Sequence, residues 1–291
     1  FYQKTLGNNV IILMQVGSFH ECYCTNDRGL DLIKLASKLD VSCPLKNGKK
    51  PISSSNPRML GFPIYVVHNF IEKLCNLNFT VVLIDQVTKP PKPKREVVGI
   101  YSPATYIENN KSYSESKSTH LTSLVIDYNK KNDQPLFVIG LCSYDLTTGY
   151  GSFLECYSKP NDTMLALDEA LRFLESFPPR EIILHYNEKL DNKINNLKYD
   201  DIISYLNIKK KNIFTLSNYK KVKKLSYQKN LIERIFPSKN QIDSIDFLGL
   251  SFYNWARLAL SMLLQYTKDH QKMLLNKLKI PTEFKNENIL F

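Results

Sequence analysis

The sequence has no apolar run near the roughly 20 residues that a bilayer-crossing helix needs; the longest, Val10–Met14, is of strand length. It lacks the basic, then apolar, then small-residue start of a signal peptide, and with Phe1 at its head it reads as an excerpt of a longer polypeptide. Its six cysteines, at 22, 24, 43, 75, 142 and 156, contain no C-x-x-C pair. A zinc ribbon is therefore not expected, nor is a disulfide framework, and buried thiols of an intracellular protein are. Phosphate-cradling loops of the G-x-x-x-x-G-K-[ST] and G-x-G-x-x-G kinds are missing, as are H-E-x-x-H and G-x-S-x-G. The five histidines are scattered, so no catalytic constellation is read.

What the chain does have is apolar and aromatic content, 43% and 11%, enough for sizeable cores in 291 residues and for about two domains. It also has 39 Lys+Arg against 28 Asp+Glu, a net charge of +11 that suits a nucleic acid or an anionic surface. The charge is modular. Residues 1–108 and 187–230 are basic, 109–186 is acidic, and 231–291 is nearly balanced.

The first block reads as mixed α/β. Strands are expected at Val10–Val16, Phe79–Val87 and Val97–Tyr101, and helices at Asp27–Leu39 and Ile64–Leu77, each with apolar residues at helical spacing. Leu45–Pro57 is a polar loop, and the prolines of Lys89–Lys94 (KPPKPK) exclude helix and strand alike. The Ser-rich run Asn109–Thr119 is a linker candidate. Beyond it, strands at Leu121–Tyr128, Leu136–Asp145 and Tyr150–Tyr157, a helix from Asp162 to Glu175 and a strand at Glu181–His185 form a second α/β pattern. After Asn187 the chain is lysine-rich and weakly periodic, and Ser251–Lys272 is a strong helix that suggests the beginning of a further helical domain.

The most informative stretch is Val16–Tyr23 (VGSFHECY). A buried strand ends at Gly17, and if extended geometry resumes, Phe19 and Glu21 point to one side. An apolar ring beside a carboxylate is out of place on a solvent face. It is chemically apt for opening a DNA base step from the minor groove while offering an acceptor to a base edge.

This stretch resembles the G-[DE]-F-[YF]-E motif of the mismatch-recognition domain of the MutS family, whose Phe-x-Glu wedges into the minor groove at a mispair. The resemblance continues in order through Ala36–Val41 (ASKLDV), Met59–Pro63 (MLGFP), His68–Leu74 (HNFIEKL), Val81–Gln86 (VVLIDQ) and Val97–Thr105 (VVGIYSPAT). Tyr144–Gly149 (YDLTTG) and Pro178–Leu184 (PPREIIL) are similar to the family's connector domain, an RNase H-like fold, and Ala259–Lys272 (ALSMLLQYTKDHQK) to the start of its helical core domain. Four positions depart from the family pattern: Ser18, His20, Asp85 and Ala104.

The resemblance implies a mismatch-recognition domain at 1–108, a linker at 109–119, an RNase H-like connector at 120–240 and the start of a helical domain at 241–291. It implies Phe19 as the wedge and Glu21 as hydrogen-bond acceptor for the mispaired base. The acid-free basic loop carrying Lys46, Lys49, Lys50 and Arg58 would neutralise flanking phosphates, as would that carrying Lys89, Lys92, Lys94 and Arg95. The partner implied is double-stranded DNA with mispairs or small loops, in an intracellular protein that does not enter a membrane. No enzyme activity and no cofactor are expected in this stretch; ATP and Mg are expected in an ATPase domain further along, together with homo- or heterodimerisation. Two rivals are a divergent paralogue that binds branched DNA or a partner protein, and a metal nuclease using Asp127, Asp145, Asp168 and Glu169.

Overall fold

A computed structural model describes residues 2–7, 9–89, 91–107, 120–131, 134–159, 162–192, 198–238 and 242–285. The chain forms two compact units, residues 1–108 and 109–291. Both are α/β, each built on a mixed sheet. The linker expected at 109–119 lies outside the described residues.

The first unit begins with a one-turn helix, α1 (Tyr2–Leu6), and continues through β1 (Val10–Val16), β2 (Phe19–Cys24), α2 (Leu32–Leu39), β3 (Arg58–Pro63), α3 (Val67–Asn76), β4 (Thr80–Gln86) and β5 (Arg95–Tyr101). The sheet order is β3-β2-β1-β4-β5, with β4 parallel to β1 and the other neighbours antiparallel. Alternation decides what each face carries. Ile11 and Leu13, His20 and Cys22, Leu60 and Phe62, Val81 and Leu83 turn to one side and are buried with Leu35, Ile71 and Leu74 of α2 and α3. Phe62 stacks on Phe70 with ring centroids 4.0 Å apart, which accounts for the aromatic of the MLGFP segment. Helix α2 starts five residues later than its apolar periodicity predicts. Gly29 there has φ +95, outside the helical region, and Asp31 caps the first turn by accepting from the Lys34 amide at 3.1 Å.

The second unit is longer and covered on both faces. Strands β6 (His120–Lys131), β7 (Gln134–Asp145) and β8 (Gly151–Tyr157) form a meander. Helix α4 (Met164–Ser176) then crosses to β9 (Pro179–Tyr186), which pairs parallel with β6. There follow α5 (Tyr199–Tyr205), β10 (Ile213–Phe214), α6 (Tyr219–Val222), α7 (Leu225–Ile235), α8 (Ser244–Phe247), α9 (Asn254–His270) and β11 (Thr282–Glu283). The order is β10-β9-β6-β7-β8-β11. Leu121–Ile126 is buried at every position, as a strand sandwiched between two helical layers must be. One layer is α4 with α5; the other is α9.

Helix α9, which sequence periodicity assigns to the start of a further domain, belongs to this second unit. It lies along β6 and β7, is flanked by α6 and α7, and is buried nearly all round. Its first amides, Trp255 and Ala256, donate to Glu155 Oε2 of β8 at 2.7 and 3.0 Å, so the sheet itself caps the helix. The buried Arg257 spends its guanidinium on Gln228, Asn254 and the carbonyls of Leu250 and Ser251.

At the other end of α9, His270 donates from Nδ1 to the Tyr266 carbonyl at 2.9 Å, while its buried Nε2 has no partner among the described residues. Protonating Nε2 would place a charge where nothing accepts it, and burial pushes the imidazole down to about 4. Because the folded value lies below the unfolded one, stability is complete above about pH 6.5 and falls as pH drops from there toward 4. Chemical denaturation from pH 7.5 to 4.5 should show that decline, and His270→Gln, which keeps a donor for Tyr266, should flatten it. An unchanged slope would remove His270 as its source.

The six cysteines are free; five are buried and Cys43 is partly so. Among the described residues no helix is long and apolar enough to cross a membrane.

Candidate nucleic-acid interface

Strands β1 and β2 meet through the two-residue turn Gly17-Ser18, with Gly17 at φ +60, a conformation suited to glycine in tight hairpins. The turn sets the register: Val16 pairs with Phe19 and Met14 with Glu21. Extended geometry thus resumes after Gly17, and the alternation Phe19 out, His20 in, Glu21 out, Cys22 in, Tyr23 out runs through β2.

Helices α2 and α3 pack on the inward side of the sheet, and Tyr2 of α1 stands at the outward side near Glu21. Phe19 is 43% exposed, and Ile12, Val16 and Tyr23 are exposed beside it. A hollow of about 340 Å³ lined by Tyr2, Ile12, Met14, Glu21 and Tyr23 opens next to the carboxylate. Phe19 is not a core residue, and Glu21 shares its face.

Two features of this face escape sequence reasoning. Tyr23 donates its hydroxyl to Glu21 Oε2, and partial burial followed by that carboxylate pushes the phenol up to about 12. Only the i, i+2 spacing within a strand, once the strand is known, could have found it. Across the sheet, Gly61 of β3 pairs with Glu21; a Cβ there would stand 3.3 Å from Glu21 Cγ. The glycine of the MLGFP segment therefore leaves the carboxylate its room.

Two of the positions that depart from the family pattern meet beneath the wedge. His20, 4% exposed, donates from Nε2 to Asp85 Oδ1 of β4 at 2.7 Å, and its buried Nδ1 has no partner among the described residues. Between them, Gln15 binds Gln86 both ways, accepting from its amide at 2.8 Å and receiving its Nε2 at the Gln15 carbonyl at 3.1 Å. The floor under Phe19 and Glu21 is a cross-strand polar network.

The basic loop is more ordered than its composition indicates. Asn56 is buried and gathers the backbone around it, donating to the carbonyls of Asn47, Lys50 and Pro51 and accepting from the Asn47 amide at 2.7 Å. Lys46, Lys49 and Lys50 are all exposed on this frame. Arg58 is different: it is half-buried at the start of β3 and donates to the Cys43 carbonyl at 3.3 Å. In the second loop, Lys94 pairs with Glu96 at 2.6 Å and Arg95 donates to the Gln15 carbonyl at 3.0 Å, while Lys89 is exposed.

The carboxylates of the nuclease rival do not converge. Asp145 stands across from His120, and Asp127 lies seven residues further along β6, about 23 Å away at a strand's rise. Asp145 accepts from Thr147 and Thr148 and holds the turn; Asp127 accepts from Asn187 at 2.6 Å; Asp168 accepts from Tyr205; Glu169 pairs with Arg172.

Residues 2–110 match the MutS domain I family. A mutS homolog of Acanthamoeba polyphaga mimivirus is 28% identical over 96% of the chain and 26% of its own length. The DNA mismatch repair protein MutS of Caldanaerobacter subterraneus is 25% identical over 97% of the chain and 28% of its own, and that of Rickettsia africae 28% identical over 68% and 20%. The chain spans about a quarter of the length of these curated relatives. Residues 2–110 thus match MutS domain I, and over 96% and 97% of its length the chain is similar to proteins named for DNA mismatch repair.

Proposed function

We propose that the first unit reads mispaired double-stranded DNA from the minor groove as part of a MutS-type mismatch-repair protein. The observation that carries this reading is the exposed Phe19 on the sheet face turned away from α2 and α3, with Glu21 beside it and Tyr23 holding the carboxylate. Phe19 enters the base step. Glu21 accepts a hydrogen bond from the displaced base. Discrimination arises because a mispair is cheaper to unstack and bend than a matched pair. The test is a paired titration of homoduplex and single-mispair duplex with Phe19→Ala.

Lys46, Lys49 and Lys50, presented on the Asn56 frame, neutralise phosphates flanking the step, and Arg58 adds a cation at its base. Lys49→Gln combined with Lys50→Gln should weaken matched and mismatched DNA equally and reduce the salt slope by about one unit per lost contact. A slope identical to that of the parent would move the phosphate contacts elsewhere.

The second unit serves as an RNase H-like connector. Its three-stranded meander, crossover helix α4 and parallel β9 support that reading. No reaction is assigned to this chain. ATP hydrolysis with magnesium, and assembly into homo- or heterodimers, are assigned to the remainder of an intracellular MutS protein, whose relatives are about four times as long.

A further inference from the structure

Between Asp201 and Glu233 the sequence carries eight lysines and no acid. The fold brings two of them to one place, Lys210 near Tyr199 and Lys223 over Tyr219. Lys209 and Lys210 lead into the edge strand β10; Lys220, Lys221, Lys223 and Lys224 lie in and just after α6; all are exposed. Thr215 and Leu216, between the two groups, line a pocket of about 420 Å³, within the size range of small-ligand sites. Its other walls come from the carboxyl end of β9, with His185, Tyr186 and Glu188, and from Tyr199 and Tyr219.

The pocket lies at the carboxyl end of β9, where the chain leaves the β6 side of the sheet for the edge strand β10. The walls are aromatic. Tyr219 stacks on His185 at 3.7 Å, and Tyr199 stands edge-on to Tyr186 at 5.1 Å. Lys223 lies 6.0 Å over the Tyr219 ring. Burial pushes His185 down to about 4, against the opposing pull of Asp127 and with the help of Lys223, so it is a neutral ring near neutral pH. Among the described residues, Glu188 is the one carboxylate in the lining. It repels a phosphate but accepts from an amino or imino group of a base. Lys210 is paired with Asp200, whereas Lys220 and Lys224 are engaged in no ion pair among the described residues.

We infer that this pocket of the second unit binds an unpaired nucleotide, its base among Tyr186, Tyr199 and Tyr219 and its phosphate on the lysines of α6. Aromatic platforms edged by lysines are the chemistry by which unpaired nucleic acid is held, and a paired base has no free face to offer them. Free nucleotides and nucleotides within a strand share that chemistry.

The test is fluorescence anisotropy of the whole chain with a short fluorescein-labelled oligothymidylate, thermal unfolding serving as the check on folding. Tyr199→Ala should weaken binding about tenfold. Lys220→Gln with Lys223→Gln, changes on an exposed surface, should weaken it and reduce the salt slope by about 1.4. Phe19→Ala should leave it intact, separating this site from the wedge. Displacement by thymidine monophosphate assigns the pocket to free nucleotides, and failure to displace assigns it to a strand; both outcomes require that the two pocket variants weaken binding. Parental affinity in both variants overturns the inference, as does an equal loss for a fully paired duplex in Tyr199→Ala.

Discussion

Phe19→Ala is expected to abolish most of the preference for a mispaired over a matched duplex while leaving the fold intact. The ring is 43% exposed and contributes little to the core, whose apolar side chains turn the other way in β2. Its removal therefore costs little stability. In the complex the ring does different work, because it replaces the stacking that a base step loses on opening. Stacking on an aromatic side chain is worth roughly 1–3 kcal/mol, or about 5- to 150-fold in affinity. A matched duplex resists opening and gains less from the ring, so the loss falls on the mispaired one. Glu21→Gln separates the two members of the pair. It removes a charge that repels phosphates and keeps an oxygen to accept from Tyr23, so matched DNA should bind as well or better while discrimination shrinks. Full discrimination in a folded Phe19→Ala protein would refute the wedge.

Gly140→Ala is expected to destabilise the second unit by about 3 kcal/mol, the upper end of overpacking losses. Gly140 lies in β7 where α9 begins. A Cβ at that position would stand 2.3 Å from the Trp255 carbonyl carbon and 2.7 Å from the Ala256 nitrogen. Those are backbone atoms, and Glu155 holds the same two residues by their amides. The helix cannot retreat without surrendering its cap and the buried face of a 17-residue helix. For a unit of this size the loss amounts to a fall in Tm of roughly 6–12 °C. Gly48, with nothing within 4 Å of a built Cβ, is the control, and its alanine variant should unfold at the parental temperature. A Gly140→Ala protein within about 0.5 kcal/mol of the parent would mean that α9 does not pack on β7 as described.

Both residues illustrate how far the sequence speaks. The period-2 pattern after Gly17 was enough to put Phe19 and Glu21 on one face, because alternation in a strand is a local property of the backbone. Periodicity also located α2, α3, α4 and α9, and composition located the loop at 45–57. It did not reveal that Asn56 organises that loop, since a buried amide needs carbonyl partners up to nine residues away. Nor did it reveal the helices between 199 and 235, whose lysines mask a short apolar stripe such as Leu231 and Ile232.

The sequence by itself determined the mixed α/β character, the shared side of Phe19 and Glu21 and the basic segments, all of which follow from spacing and composition along a few residues; that this side faces outward only the structure decided. The tertiary structure alone decided which unit owns α9, how Tyr23 and Gly61 attend Glu21, why His20 and Asp85 are found together, and that Tyr219 stacks on His185. Each of those depends on strands and helices distant in the chain coming within a few ångströms, and a one-dimensional pattern holds no record of the distance between its ends.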